Sequence, residues 1–180
     1  MIREKIRKSY LEILVGDITK QDTDAVVNAA NKQLAPGGGV AGAIHKAAGK
    51  DLWEECKKLG GCNTGEAKLT RGFNLPALYI IHTVGPVYSG SSDDPKKLKL
   101  CYEESLKLAE KNNIKSISFP AISTGYFGYP IYEATDIALK TIIDYLKSET
   151  KIELVMFVLY DSKNLELYKE ILDSILKNTN

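Results

Sequence analysis

Long apolar runs are missing from this chain of 180 residues, so nothing in it reads as a helix that crosses a bilayer. Charge of one sign is also scarce: 24 Lys and Arg face 23 Asp and Glu, a formal net charge of +1. That balance offers no broad field for extended contact with DNA, RNA or anionic lipid, although local dipoles can still hold a small anion. Cysteine is limited to Cys56, Cys62 and Cys101. An odd number without tight spacing argues against a disulfide framework and fits a reducing compartment. The only histidines are His45 and His82, and Cys56 and Cys62 stand too far apart for a CxxC knuckle, so no metal site is expected. Residues 1–10 are charged and lack the apolar segment of a secretory signal. A cytoplasmic protein without a membrane partner is the expectation.

What remains is an ordinary globular balance, 44% hydrophobic and 26% charged, enough for one domain over residues 1–180 with its core at about 11–176. Apolar runs rich in Val, Ile and Tyr predict strands at 11–15, 24–28, 78–84, 116–121 and 152–160, with a short edge strand at 66–70. Helical spacing predicts helices at 40–48, 96–112, 131–146 and 164–176. Alternation of the two predicts an α/β fold with a parallel or mixed sheet covered on both faces. No repeat, linker or low-complexity tract interrupts it, and 89–94 (SGSSDD) reads as a surface loop.

The unusual residues follow the predicted strands. Gly16-Asp17 follows the first, Asn28 to Asn31 and Gly37-Gly38-Gly39 the second, Ser123 to Gly128 the fourth, and Tyr160-Asp161 the fifth. In open α/β sheets the ligand crevice lies outside the carboxyl ends of the strands. The glycine run precedes a predicted helix, and unpaired N–H groups at a helix start attract an anion; read alone, the run is equally a flexible turn. A second such loop, Ser123 to Gly128, leads into the helix after Pro130, and two cradles on neighbouring strands would hold a diphosphate from both sides. Neither matches GxxxxGK[ST], and the first strand–helix turn lacks GxGxxG. Asp17 fits either a helix N-cap or an acceptor for the exocyclic amine of adenine. Phe127 and Tyr160 either stack on a base or ribose or pack in the core. Asn28 and Asn31 either read ribose hydroxyls or serve turns. His45 divides evenly between the crevice and the core, while His82 reads as structural.

These segments resemble the macrodomain family. The motifs are GDIT (16–19), DAVVNAAN (24–31), GGGVAGAIHKAAG (37–49), TGEAKLTRGFNLP (64–76), YIIHTVGP (79–86) and FPAISTGYFGYP (119–130). They are most similar to the MacroD-type branch, which removes ADP-ribose from acidic protein side chains and deacetylates O-acetyl-ADP-ribose. The resemblance implies a three-layer α/β/α sandwich around a mixed sheet. It implies that Asp17, with the Ile18 backbone beside it, binds adenine, and that Tyr160 lies against the base. Asn31 would touch the distal ribose, and Gly38, Gly39 and Val40 would line ribose and phosphate. Ser123, Thr124, Gly125 and Tyr126 would wrap the diphosphate, and Phe127 would cover the distal ribose. Catalysis would rest on Asn31, Gly38, Gly39, His45 and Phe127, with no cofactor. The partners implied are ADP-ribose, ADP-ribosylated proteins and O-acetyl-ADP-ribose, bound by a monomer. One position departs: MacroD-type enzymes carry an aspartate within GGGVDGxIH, and here that place is Ala41. Viral macrodomains with VAGA there are similar and still hydrolyse. A reader without turnover, or a phosphatase of ADP-ribose 1″-phosphate, would use the same crevice.

Overall fold

The structure, a computed structural model, describes residues 1–179. Its centre is a seven-stranded sheet in the order β1-β2-β7-β6-β3-β5-β4. The strands are β1 (Ile2–Ile6), β2 (Ser9–Val15), β3 (Ala25–Ala29), β4 (Ala67–Arg71), β5 (Tyr79–Thr83), β6 (Ser116–Phe119) and β7 (Leu154–Leu159). β2, β7, β6, β3 and β5 run parallel, and the edge strands β1 and β4 run antiparallel to their neighbours. The mixed sheet and its edge strand near 66–70 agree with the sequence reading. β1 is new: residues 1–10 carry no apolar run because this edge strand alternates Ile2, Glu4 and Ile6 with Arg3 and Lys5. Such charge keeps an open sheet edge from pairing with other chains.

The inner strands are unbroken apolar runs because both of their faces are covered. Successive residues point to opposite faces. Ala25, Val27, Ile81, Ile117 and Phe157 join one core with the helices α3 (Asp93–Lys111), α4 (Ile131–Lys147) and α5 (Ser162–Asn178). Val26, Ile80 and Val158 join a second core with α1 (Gly39–Ala48) and α2 (Asp51–Lys57). The three-layer sandwich follows directly. α2 escapes the periodicity because it is seven residues long and buries only Leu52 and Cys56.

The first core centres on tilted aromatic rings, with Tyr102 at 5.1 Å from Phe119 and Phe157 at 5.4 Å from Tyr168. Tyr102 also reaches the functional edge: its hydroxyl accepts the Ile122 N–H at 3.4 Å, just beyond β6. At the opposite end, the Asp24 carboxylate accepts from the Lys115 N–H at 2.9 Å and the Ser116 N–H at 3.2 Å, which ties the start of β6 to that of β3. Both contacts fix the height of the β6 loop relative to the loop after β3. Among the described residues, no helix is long and apolar enough to cross a membrane.

Candidate functional site

A crevice of about 750 Å³ opens along the carboxyl ends of the parallel strands. A cavity of this size accommodates a nucleotide-sized ligand. Four loops predicted from separate parts of the sequence meet in it: Gly16 to Ile18 after β2, Ala29 to Ala43 after β3, Pro120 to Phe127 after β6, and Val158 to Asn164 at the end of β7. β6 and β3 are direct neighbours in the sheet, so their two loops face each other.

The glycine loop ends as the first turn of α1. Gly38 caps the helix without a side-chain bond, and the first helical hydrogen bond runs from the Gly42 N–H to the Gly38 carbonyl at 3.2 Å. The N–H groups of Gly39, Val40 and Ala41 are therefore left for a ligand. Gly42 is required by close approach: a β-carbon there would lie 2.3 Å from the Gly37 carbonyl oxygen. Asn31 holds this loop from below. Its side-chain amide donates to the Ala35 carbonyl and its oxygen accepts the Ala35 N–H, both at 2.9 Å.

The facing loop begins with Ser123 in the left-handed region at φ 68, a conformation that costs a serine energy. Its carbonyl accepts the Tyr129 N–H at 2.9 Å, and the Gly128 N–H closes a turn on Gly125 at 3.0 Å. The N–H groups of Gly125, Tyr126 and Phe127 meet no protein acceptor among the described residues. Two sets of free amides thus border one crevice. Tyr126 bridges them, standing 94% exposed with its ring against Gly38.

The lining contains no Lys, Arg or His; its ionisable side chains are Asp17, Asp161 and the two tyrosines Tyr126 and Tyr160. An anion entering this crevice would meet oriented amides rather than cations. Asp17 is the N-cap that the sequence allowed, and it also lines the crevice. It caps the short 3-10 turn Ile18–Lys20, its Oδ1 accepting from the Thr19 N–H at 2.9 Å and the Thr19 hydroxyl at 2.7 Å. These bonds from Thr19 hold its carboxyl below the ordinary range, so it is ionised at neutral pH with Oδ2 free of protein donors among the described residues. Tyr160 is 75% exposed at the same end, and Asp161 caps α5 through the Asn164 N–H at 2.8 Å.

The structure brings together Asp17, Ile18, Asn31, Gly38, Gly39, Val40, Ser123, Thr124, Gly125, Tyr126, Phe127 and Tyr160 along this crevice, and Ala41 with them. It does not bring Asn28 or His45 there. Asn28 shares the face of β3 with Val26, is fully buried, and contacts His82 Nδ1 at 3.0 Å on the neighbouring strand. His45 lies on the buried stripe of α1 with Ile44 and Ala48, and its Nε2 has no partner among the described residues. Burial lowers its pKa, so it sits neutral behind the crevice wall. His82 is structural as expected: Thr70 Oγ1 lies 2.8 Å from its Nε2 and burial pulls its pKa down to about 3. The sequence reading missed Gly85, Asn164 and the alanines Ala29, Ala30 and Ala121 in the lining. Gly85-Pro86 was detectable, since it follows the strand predicted at 78–84 and obeys the same strand-end rule.

None of the three cysteines lines the crevice. All three cysteines are free and buried, and burial raises Cys56 and Cys101 to about 11. Among the described residues no cluster of His, Cys, Asp and Glu is arranged to hold a metal.

Comparison with known proteins places this geometry in context. The sequence profile of the Macro domain matches residues 27–138. An O-acetyl-ADP-ribose deacetylase of Escherichia fergusonii is 48% identical, over 92% of this chain and 96% of that protein. The ADP-ribose glycohydrolase MACROD2 of Homo sapiens is 46% identical over 92% of this chain, which spans 40% of that longer protein. The Oceanobacillus iheyensis macrodomain, solved with ADP, superposes with a TM-score of 0.95 at 44% identity, over 98% of this chain and 97% of that one.

Proposed function

The chain belongs to the Macro domain family, and from that premise we infer that its crevice binds ADP-ribose and that the protein hydrolyses mono-ADP-ribose from acidic protein side chains and the acetyl ester of O-acetyl-ADP-ribose. The observation that carries this reading is the pair of free amide sets, at Gly39 to Ala41 and at Gly125 to Phe127, facing each other across one crevice. A diphosphate fits between them, with adenine toward Asp17 and Tyr160 and the distal ribose toward Phe127 and Asn31. The names of the deacetylase and glycohydrolase relatives, and the ADP in the related structure, support the same ligand.

The chemistry needs little from the side chains. Water adds to the anomeric carbon of the distal ribose as the bond to the protein's carboxylate breaks, or to the acyl carbon of the attached ester as its bond to the ribose oxygen breaks; either way a ribose hydroxyl and a carboxylate result and one proton passes to solvent. On the first route a carboxylate leaves as a stable anion, so no general acid is required for its departure. The protein's task is to fix the diphosphate, bend the ribose against Phe127 and orient the water. With a methyl at Ala41, orientation falls to the Gly38–Gly39 backbone and the phosphate of the substrate itself. His45, on the buried stripe of α1, takes no part in this reading.

Ala41 also favours a second reading, a module that binds ADP-ribose without turning it over. One experiment separates them. The protein is incubated with a target mono-ADP-ribosylated on glutamate, free ADP-ribose is followed in time, and affinity is measured by calorimetry. Release with saturable binding supports the hydrolase, binding without release the reader, and absence of binding removes both.

A further inference from the structure

A second hollow, of about 530 Å³, lies beside the crevice and is walled by Tyr88, Tyr129, Tyr132, Glu133 and Asp136. The two share a partition. The Tyr88 N–H donates to the Phe127 carbonyl at 2.8 Å, and the Tyr129 N–H donates to the Ser123 carbonyl at 2.9 Å. Ser123 and Phe127 line the crevice on the other side. Topology fixes which end of the crevice this is. The hollow sits where α3 and α4 begin, after β5 and β6, whereas Asp17 and Tyr160 follow β2 and β7. A ligand with its base at Asp17 therefore presents its distal ribose, and anything attached to it, toward the hollow.

The hollow has a definite chemical character. No Lys or Arg lines it. The Tyr88 and Tyr129 rings stand 5.0 Å apart at 58°, and Tyr132 is 57% exposed. Asp136 is paired with Lys140 at 2.8 Å, while Glu133 makes no ion pair among the described residues. The rim is built to keep its shape. The Asp94 carboxylate accepts the Ser89 N–H at 2.8 Å and the Gly90 N–H at 3.0 Å, which folds the loop before α3 around it. Aromatic faces beside an unpaired carboxylate attract an organic cation.

We propose that this hollow receives a lysine or arginine side chain of the polypeptide that carries the ADP-ribose, so that acidic sites with a basic neighbour are preferred. The proposal rests on the ADP-ribose reading of the crevice.

The test uses two peptides bearing ADP-ribose on a glutamate position through a hydrolysis-resistant link, identical except for Arg or Gln two residues onward. Calorimetry with the whole protein should find the Arg peptide about 5-fold tighter, the size expected of one partly exposed cation–π contact and one exposed charge pair. Tyr132→Ala and Glu133→Gln should each cut that preference to about 2-fold, while affinity for free ADP-ribose stays at the wild-type value. Equal affinity for the two peptides, with free ADP-ribose still bound, overturns the proposal and leaves the crevice reading standing. A preference that survives both substitutions, or tighter binding of an ADP-ribosylated oligonucleotide than of the Arg peptide, overturns it as well. No affinity for free ADP-ribose removes the crevice reading and this one together.

Discussion

Replacing Gly42 with alanine probes the amide cradle through backbone geometry alone. The added carbon would lie 2.3 Å from the Gly37 carbonyl oxygen, against about 3.4 Å for ordinary contact, so the glycine loop must retreat by about 1 Å. Neither side of this contact is a flexible side chain. Overpacking of this kind costs about 1–3 kcal/mol. Alanine returns roughly 1 kcal/mol through its better helix propensity. The net loss is then about 0–2 kcal/mol, which for a chain of this length lowers Tm by no more than ~8 °C. Binding should suffer more than folding. A displacement of about 1 Å misaligns the N–H groups of Gly39 to Ala41, and the expected loss is at least about 10-fold in ADP-ribose affinity, or ~1.4 kcal/mol. Thermal unfolding and calorimetric titration of the same variant read the two effects. A folded G42A protein that binds ADP-ribose as tightly as wild type would refute the claim that the position of this loop matters.

Other substitutions separate the remaining roles. Asp17→Ala should weaken ADP-ribose about 10-fold or more, as a lost charge-assisted hydrogen bond does, while ADP-ribose affinity equal to wild type would leave Asp17 only the cap of its short turn. Phe127→Ala should lower turnover of O-acetyl-ADP-ribose by more than it lowers stability, and equal loss of both would make Phe127 a packing residue. Ala41→Asp should raise hydrolysis by about 100-fold or more, the range of an added general base, if water activation limits the rate; unchanged release with retained affinity would show that it does not. Acid should destabilise the fold through His82. Its folded pKa of about 3 lies below the ordinary value of 6.5, so between those limits the unfolded chain binds the proton that the native protein excludes. Stability should therefore fall as pH drops through this window, by at most about 1.4 kcal/mol per pH unit. Urea unfolding at pH 7 and pH 5 checks this, and a His82→Gln variant should lose the His82 share of the dependence.

The rim of the crevice is legible in the sequence because strand ends concentrate residues that strands themselves avoid. Gly16-Asp17, the glycine run and Ser123 to Gly128 all announce themselves against apolar neighbours, and the sheet gathers them at one edge. Facing is harder to read. In DAVVN the flanking positions are apolar on both sides, so alternation gives no sign that Asn28 points with Val26 toward α1 and α2. His45 is different. Ala41, Ile44, His45 and Ala48 are spaced as one helical stripe, which already marks His45 as inward. Ala41 belongs to that stripe yet reaches the crevice because it lies in the first turn, where the helix meets the rim. β1 and α2 stay hidden for want of length and contrast: one is a charged edge strand, the other seven residues long. The left-handed Ser123 leaves no mark in sequence either, since a serine in a loop usually needs no such strain.

The central claim concerns which backbone amides meet the ligand, and an amide-resolved NMR titration with ADP-ribose reads that directly. The largest shifts should fall on Gly39, Val40 and Ala41 and on Gly125, Tyr126 and Phe127, with smaller ones beside Asp17 and Tyr160. Saturating ADP-ribose that leaves both loops unmoved, or that shifts only one of them, would contradict a diphosphate held between the two.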